Sequence, residues 1–260
     1  MRSRTRPTDR MEHLLSKPLN ESEAPRRLQS EIRPPEDLSL AERERMFALF
    51  GDYYDNVCER AFYADLGEKN SCILLKDAAS AEICGFSTLT QIQTRLDDEP
   101  LLAIFSGDTI IDRDYWGSTE LVRAWGRHVF RLADEFDGGR TYWFLISSGY
   151  KTYRFLPVFF RQFYPSHIGP TPAREKALLN RLAQLKFSDK YDAARGVIRL
   201  DNPTPLRDGI ADITPARLKD PYVSFFVDRN PGHVVGEQLA CLTELTRDNL
   251  RAAGRRMLDV

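Results

Sequence analysis

Only four cysteines occur in the 260 residues, Cys58, Cys72, Cys84 and Cys241, and no two stand in CxxC spacing. That excludes a disulfide framework and a cysteine-built zinc site, and buried free thiols in a reducing compartment are expected. The four histidines, His13, His128, His167 and His233, do not group at ligand spacing either, so no metal is expected. Charge of either sign is not in excess: 37 Lys and Arg against 38 Asp and Glu leave a net charge of -1, which supplies no global field for nucleic acid. Basic clusters do stand at the chain ends, at Arg2, Arg4, Arg6 and Arg10 and at Arg251, Arg255 and Arg256. No apolar run approaches the ~18 residues of a membrane span, and the basic N-terminus lacks the apolar stretch of a secretory signal. Membrane insertion is therefore not expected, and the expected location is cytoplasmic. GxSxG, HExxH and the P-loop pattern are missing as well, which removes the commonest hydrolase and nucleotide-binding readings.

What is present is an ordinary globular composition, 42% hydrophobic and 29% charged. Residues 1–38, rich in Arg, Glu, Ser and Pro, offer little to bury and read as a flexible segment. Ser39 is a plausible N-cap for helical periodicity over Leu40, Met46, Phe47, Leu49, Phe50, Tyr53, Val57 and Phe62, as one helix or two broken near Gly51. Residues 71–78 and 82–96 read as two strands joined by a short polar turn. Residues 101–111 read as a third strand, in which Ser106-Gly107 suggests a bulge. Leu121, Trp125, Val129, Leu132 and Phe136 then mark an amphipathic helix ended by Gly138-Gly139. Residues 141–147 follow as a strand apolar on both faces, suited to the centre of a sheet. Residues 169–260 read as an α+β extension packed on the domain, with a helix over 171–187, a short strand at 196–200, two strands around Asn230-Pro231-Gly232 and a last helix capped by Thr246.

Helices, then three successive strands, then a strand–helix–strand–helix unit make an α/β fold with antiparallel pairing early and parallel pairing at its centre. Over residues 39–168 this order resembles the GNAT acyltransferase family. The resemblance implies a mixed central sheet flanked by helices and a thioester co-substrate, acyl-CoA or acyl-phosphopantetheine on an acyl carrier protein. Its acceptor would be a small-molecule amine. It maps the family's fourth-strand bulge to Ser106 and Gly107, its pyrophosphate turn to Arg113, Trp116, Gly117, Ser118 and Thr119, and its splayed strand to residues 141–147.

The match at the turn is partial. Trp116 stands where that family has a basic residue, and Thr119 and Leu121 replace two glycines of its phosphate cradle. Without those glycines, backbone N–H groups close less readily on a phosphate, and Glu120 can by itself satisfy the helix dipole. A carrier-protein donor, which brings no adenosine diphosphate, is one reconciliation; Arg113, Arg123, Arg127 and Lys151 would be its basic surface.

Aminolysis of a thioester needs orientation, a base for the amine proton and support for the oxyanion. Backbone N–H groups at Ser106 to Asp108 would polarise the carbonyl. Asp108 or Asp112 is the preferred base, with Glu82 behind them. The family's thiol-protonating tyrosine is replaced by Phe160, leaving Tyr153 and Tyr164 as substitutes. The aromatics of residues 142–164 suggest an apolar slot lined by Trp143, Phe144, Phe159 and Phe160. The alternative to an acyltransferase is a non-catalytic binding or scaffold protein of the same fold with a decayed cofactor site. Strands zippered together between 101–111 and 141–147 would favour that alternative.

Overall fold

The computed structural model describes residues 27–258. In chain order the elements are β1 (Leu28–Arg33), α1 (Leu40–Tyr53), α2 (Glu59–Gly67), β2 (Ser71–Asp77), β3 (Ile83–Leu96), β4 (Glu99–Ile111), α3 (Glu120–Glu135), β5 (Arg140–Ser147), α4 (Tyr150–Tyr153) and α5 (Phe155–Phe159). They continue through α6 (Ala173–Phe187), β6 (Tyr191–Asp192), β7 (Val197–Ile198), α7 (Pro221–Arg229), β8 (Gln238–Glu244) and α8 (Ala252–Leu258). The strands form a single mixed sheet in the order β1-β2-β3-β4-β5-β8-β7-β6. Every pairing is antiparallel except β4 with β5, whose crossover is α3. The expected α/β class, with antiparallel pairing first and a parallel pair at the centre, is the fold found.

Helices cover both faces. On one, α3, α5, α7 and α8 bury Val129, Trp143, Phe160, Phe226 and Met257 in a continuous core. On the other, α1 and α2 cover Phe86 and Ile110 with Met46 and Leu49, while α6 sets Leu178 and Leu182 over Phe105, Phe144 and Leu242. Ser39 starts α1 through a capping box: its hydroxyl accepts from Glu42 N at 3.3 Å, and its N–H donates to Glu42 Oε2 at 3.0 Å. Two helices form here, and the break follows Tyr53, close to Gly51 as expected.

Three expectations need correction. The segment read as flexible, 1–38, contains the edge strand β1 and a 3-10 turn at Pro35–Asp37; residues 1–26, with the arginine cluster, lie outside the described residues. β1 carries little apolar weight, and its ladder to β2 is supplemented by ion pairs of Lys76 with Glu31 (2.9 Å) and Glu42 (3.1 Å). Charges of this kind also guard a sheet edge. Burial would raise the Glu42 carboxyl, but hydrogen bonds from Ser39, Arg33 and Lys76 outweigh it and hold the pKa at about 2.

The C-terminal part, second, is more than an extension packed on a finished domain. β8 pairs with β5 from Tyr142↔Glu244 to Ser147↔Leu239, so it completes the middle of the sheet. A strand apolar on both faces needs hydrogen-bonding partners on both edges. Third, residues 221–229 are helical: Pro221 sits in the first turn, Asp220 accepts from Tyr222 N at 2.9 Å, and Val223 and Phe226 bury one face. Thr246 likewise caps a short 3-10 turn, and α8 begins six residues later.

Candidate functional site

β4 and β5 pair in parallel from Leu101↔Arg140 only as far as Ser106↔Leu145. Beyond that point β4 stays with β3 to Ile111, and β5 stays with β8 to Ser147, so the two central strands part. At the same level the β3–β4 register slips: Ser87 faces Thr109 and Leu89 faces Ser106, which leaves Gly107 and Asp108 opposite the single residue Thr88. This is a bulge, which re-aims side chains and interrupts the ladder. Glycine is favoured at its first position, because a Cβ on Gly107 would lie 2.6 Å from Thr88 Oγ1 and 3.2 Å from Lys69 Nζ, so those side chains would have to shift.

Ser106 anchors the parting. Its hydroxyl accepts from the indole N–H of Trp143 at 2.9 Å and of Trp125 at 3.2 Å, all three side chains being buried. Beside it, between β4, β5, α3 and α5, lies a mostly apolar cavity of about 50 Å³ lined by Gly107, Leu121, Val122, Trp143, Phe155 and Phe159 among others. Two of the four residues expected to line a slot, Trp143 and Phe159, line this cavity. Phe144 points to the opposite face, where it meets Phe105 and Phe187, and Phe160 is fully buried behind Trp143.

Asp108 is half-buried and electrostatically close to Tyr54 at the end of α1, Lys69 after α2, and Asp65. Burial pushes its carboxyl up to about 7; Asp65 adds to the rise and Lys69 opposes it. Burial also raises the Tyr54 hydroxyl, as does the Asp108 charge, while a hydrogen bond with Ser148 works the other way. The Lys69 side chain is 1% exposed, bonded to Asp65 at 2.6 Å and set 5.7 Å from the Phe105 ring centre. Thr88 Oγ1, against the bulge, has no hydrogen-bond partner. An acid near neutrality at a strand bulge is suited to taking a proton.

The turn into α3 is ordered by its own side chains. Asp112 accepts from Asp114 N at 3.1 Å and lies 4.0 Å from Arg45, so it serves as a turn cap and stands apart from the bulge. Glu82, the weaker alternative, is more than half exposed and paired with Arg45 at 3.0 Å. Tyr115 donates its hydroxyl to Asp77 at 2.9 Å, the Trp116 indole N–H donates to Ile111 O at 2.9 Å, and Gly117 takes φ +99°. Ser118 Oγ accepts from Glu120 N at 3.2 Å. Thr119, the N-cap residue, makes no side-chain cap, and Glu120 accepts from Ser30 Oγ at 2.6 Å.

Trp116 remains 45% exposed, with the Lys151 ammonium 4.0 Å and the Arg113 guanidinium 5.8 Å from its ring centre. Burial lowers the Lys151 pKa, and the neighbouring charges of Arg217 and Arg113 lower it further. Three cations and an exposed aromatic thus gather at the entrance to α3, where the helix dipole adds partial positive charge. Arg123 and Arg127 are exposed along α3 and do not join them.

Both tyrosines expected as acids sit elsewhere. Tyr153 is fully buried, donates its hydroxyl to Pro165 O at 2.9 Å and packs on Phe163, Phe225 and Phe226. Burial raises its pKa strongly. Tyr164 bridges to Leu242 on β8, one strand beyond β5 from the opening. Sequence reasoning missed Tyr54, Lys69, Ser148 and Arg217, which come from four separate segments and carry no local pattern. Among the described residues no group of three His, Cys, Asp or Glu side chains is placed to hold a metal ion, and no helix is long and apolar enough to cross a membrane.

No family model and no curated protein matches the sequence. Solved structures do match in shape. A GNAT family N-acetyltransferase from Escherichia coli, in complex with CoA, is 13% identical with a TM-score of 0.35, over 52% of this chain and 70% of that one. NAA60 from Arabidopsis thaliana, in complex with a bisubstrate analogue, is 13% identical with a TM-score of 0.38, over 52% and 87%. Glucosamine-6-phosphate N-acetyltransferase from Arabidopsis thaliana is 15% identical with a TM-score of 0.33, over 45% and 81%. Each of these matches takes in about half of this chain.

Proposed function

We propose that the chain is an N-acyltransferase that moves an acyl group from a thioester donor to a small-molecule amine. The observation that carries this reading is the β4 bulge at the point where β4 and β5 part, with Asp108, held at about 7, on it. The thioester would lie along the opening with its carbonyl oxygen toward backbone N–H groups of Ser106 to Asp108. The neutral amine adds to the carbonyl carbon; the tetrahedral intermediate then expels the thiolate and forms the amide. The proton lost by the amine nitrogen goes to the Asp108 carboxylate, and the thiolate takes a proton from water. Catalysis here is orientation, one proton transfer and oxyanion support.

Arg113, Lys151, Arg217 and the exposed Trp116 are the residues suited to a donor's phosphates. Both acyl-CoA and an acyl carrier protein bring a phosphate to this entrance, and the cytoplasm is where both are met. A second reading, a non-catalytic scaffold, draws on one observation. A cavity of about 50 Å³ holds only a few water molecules, so Phe155 and Phe159 must move before an acyl arm enters.

Thiol release from acetyl-CoA, longer acyl-CoAs and an acylated carrier protein, measured against a panel of amines, tests the reading. Turnover is expected with at least one donor. Asp108→Asn should lower kcat by roughly 10²–10⁴-fold, the range of general-base catalysis, and remove an acid limb near neutral pH. Silence from every donor, in both thiol release and binding, would favour the scaffold.

A further inference from the structure

Away from the β4–β5 opening, a cavity of about 290 Å³ lies between α6, the β6–β7 hairpin, α7 and the 165–171 loop. Its lining includes Lys176, Arg195 and Arg229 and not one carboxylate. Arg195 is neutralised by Glu237 at 2.6 Å, and Arg229 is steadied by donating to Arg195 O at 3.3 Å. Neither Lys176 nor Arg229 has an acidic partner within 4 Å among the described residues. Tyr191 donates its hydroxyl to Asn180 Oδ1 at 2.7 Å, so the Asn180 amide N–H₂ is the group left to donate. Tyr191 and Phe225 supply aromatic surface.

Two solvated cations without acidic partners and an amide donor around one concavity that no carboxylate lines give it a positive potential, which favours an anion. The volume sits at the small end of small-molecule sites. From this juxtaposition we infer that the cavity binds a small organic anion with a phosphate or carboxylate head, held by Lys176, Arg229 and the Asn180 amide. The site is separate from the α3 entrance. It opens on the face covered by α6, and Ala240 of β8 and Gly196 beside β7 form part of its lining.

Calorimetric titration of glycerol 3-phosphate, citrate and inorganic phosphate into the full chain tests it, with glycerol as the uncharged control. Saturable binding of at least one anion and none of glycerol is expected; the phosphate and citrate arms tell which head group is preferred. Lys176→Met and Arg229→Gln should each weaken that binding about tenfold, or 1.4 kcal/mol. The titrations are run in an Arg113→Ala/Lys151→Ala background, so that phosphate held at the α3 entrance does not contribute. Both cations of the cavity are exposed, so their replacement should leave the melting temperature without ligand unchanged. Absence of saturable binding by all three anions, or binding that survives the Lys176→Met/Arg229→Gln double variant, would overturn the inference.

Discussion

Asp108→Asn removes a charge while keeping a shape, and its effect on stability can be worked out before any substrate is known. The Asp108 carboxyl titrates at about 7 in the folded chain against an ordinary value of 3.8, chiefly because burial disfavours its charge. Above 3.8 the unfolded chain has released this proton while the folded chain still holds it. Stability therefore falls as pH rises toward 7 and is constant beyond. At about 1.4 kcal/mol per pH unit, the span from 3.8 to 7 amounts to about 4 kcal/mol. Water reaching the half-buried carboxyl screens part of that, so roughly 2–3 kcal/mol is expected. Asparagine never ionises. The variant should match the wild type near pH 4 and exceed it by that amount near pH 8, as read by urea denaturation at several pH values. A difference that does not change with pH, or a variant weaker at pH 8, would refute the idea that a buried charge is tolerated at the bulge.

Other perturbations act on neighbouring parts of the same design. Ser106→Ala leaves two buried indole N–H groups without an acceptor and should cost about 2–4 kcal/mol, with a change in tryptophan fluorescence as Trp125 and Trp143 lose their anchor. Gly107→Ala forces a Cβ against Thr88 Oγ1 and should cost about 1–3 kcal/mol in thermal melts. Adding Thr88→Ala should return part of that, because the displaced hydroxyl has no bond to lose. Glu42→Gln removes a carboxylate held at about 2, a contribution present above 4.5 and lost as pH falls toward 2. Denaturant midpoints should show a deficit of roughly 2 kcal/mol at neutral pH that vanishes in acid.

The parts of the fold that could be read from the sequence are those with a local period. The α3 stripe of Leu121, Trp125 and Val129, the apolar runs that open β2 and β3, and a glycine inside the β4 pattern each carry their own signal. β1 was missed because a charged edge strand draws its stability from pairing and ion pairs rather than from burial. α7 was misread because the short apolar run around Val223, Phe225 and Phe226 suits either period until Asp220 and Pro221 are recognised as a helix start. The pairing of β8 with β5, across nearly a hundred residues, has no local trace at all. The candidate site divides in the same way. Ser106, Gly107 and Asp108 stood out as an interruption in a strand, whereas Tyr54, Lys69 and Arg217 reach the site only through tertiary packing.

An acyltransferase of this design must hold a thioester donor in the parting of β4 and β5. Calorimetric titration of coenzyme A, acetyl-CoA and an acylated carrier protein into the wild type and into Arg113→Ala/Lys151→Ala measures this directly. One donor bound per chain, with affinity reduced at least about tenfold in the double variant, is the predicted result. Absence of binding by every donor, or binding indifferent to both cations, would contradict it.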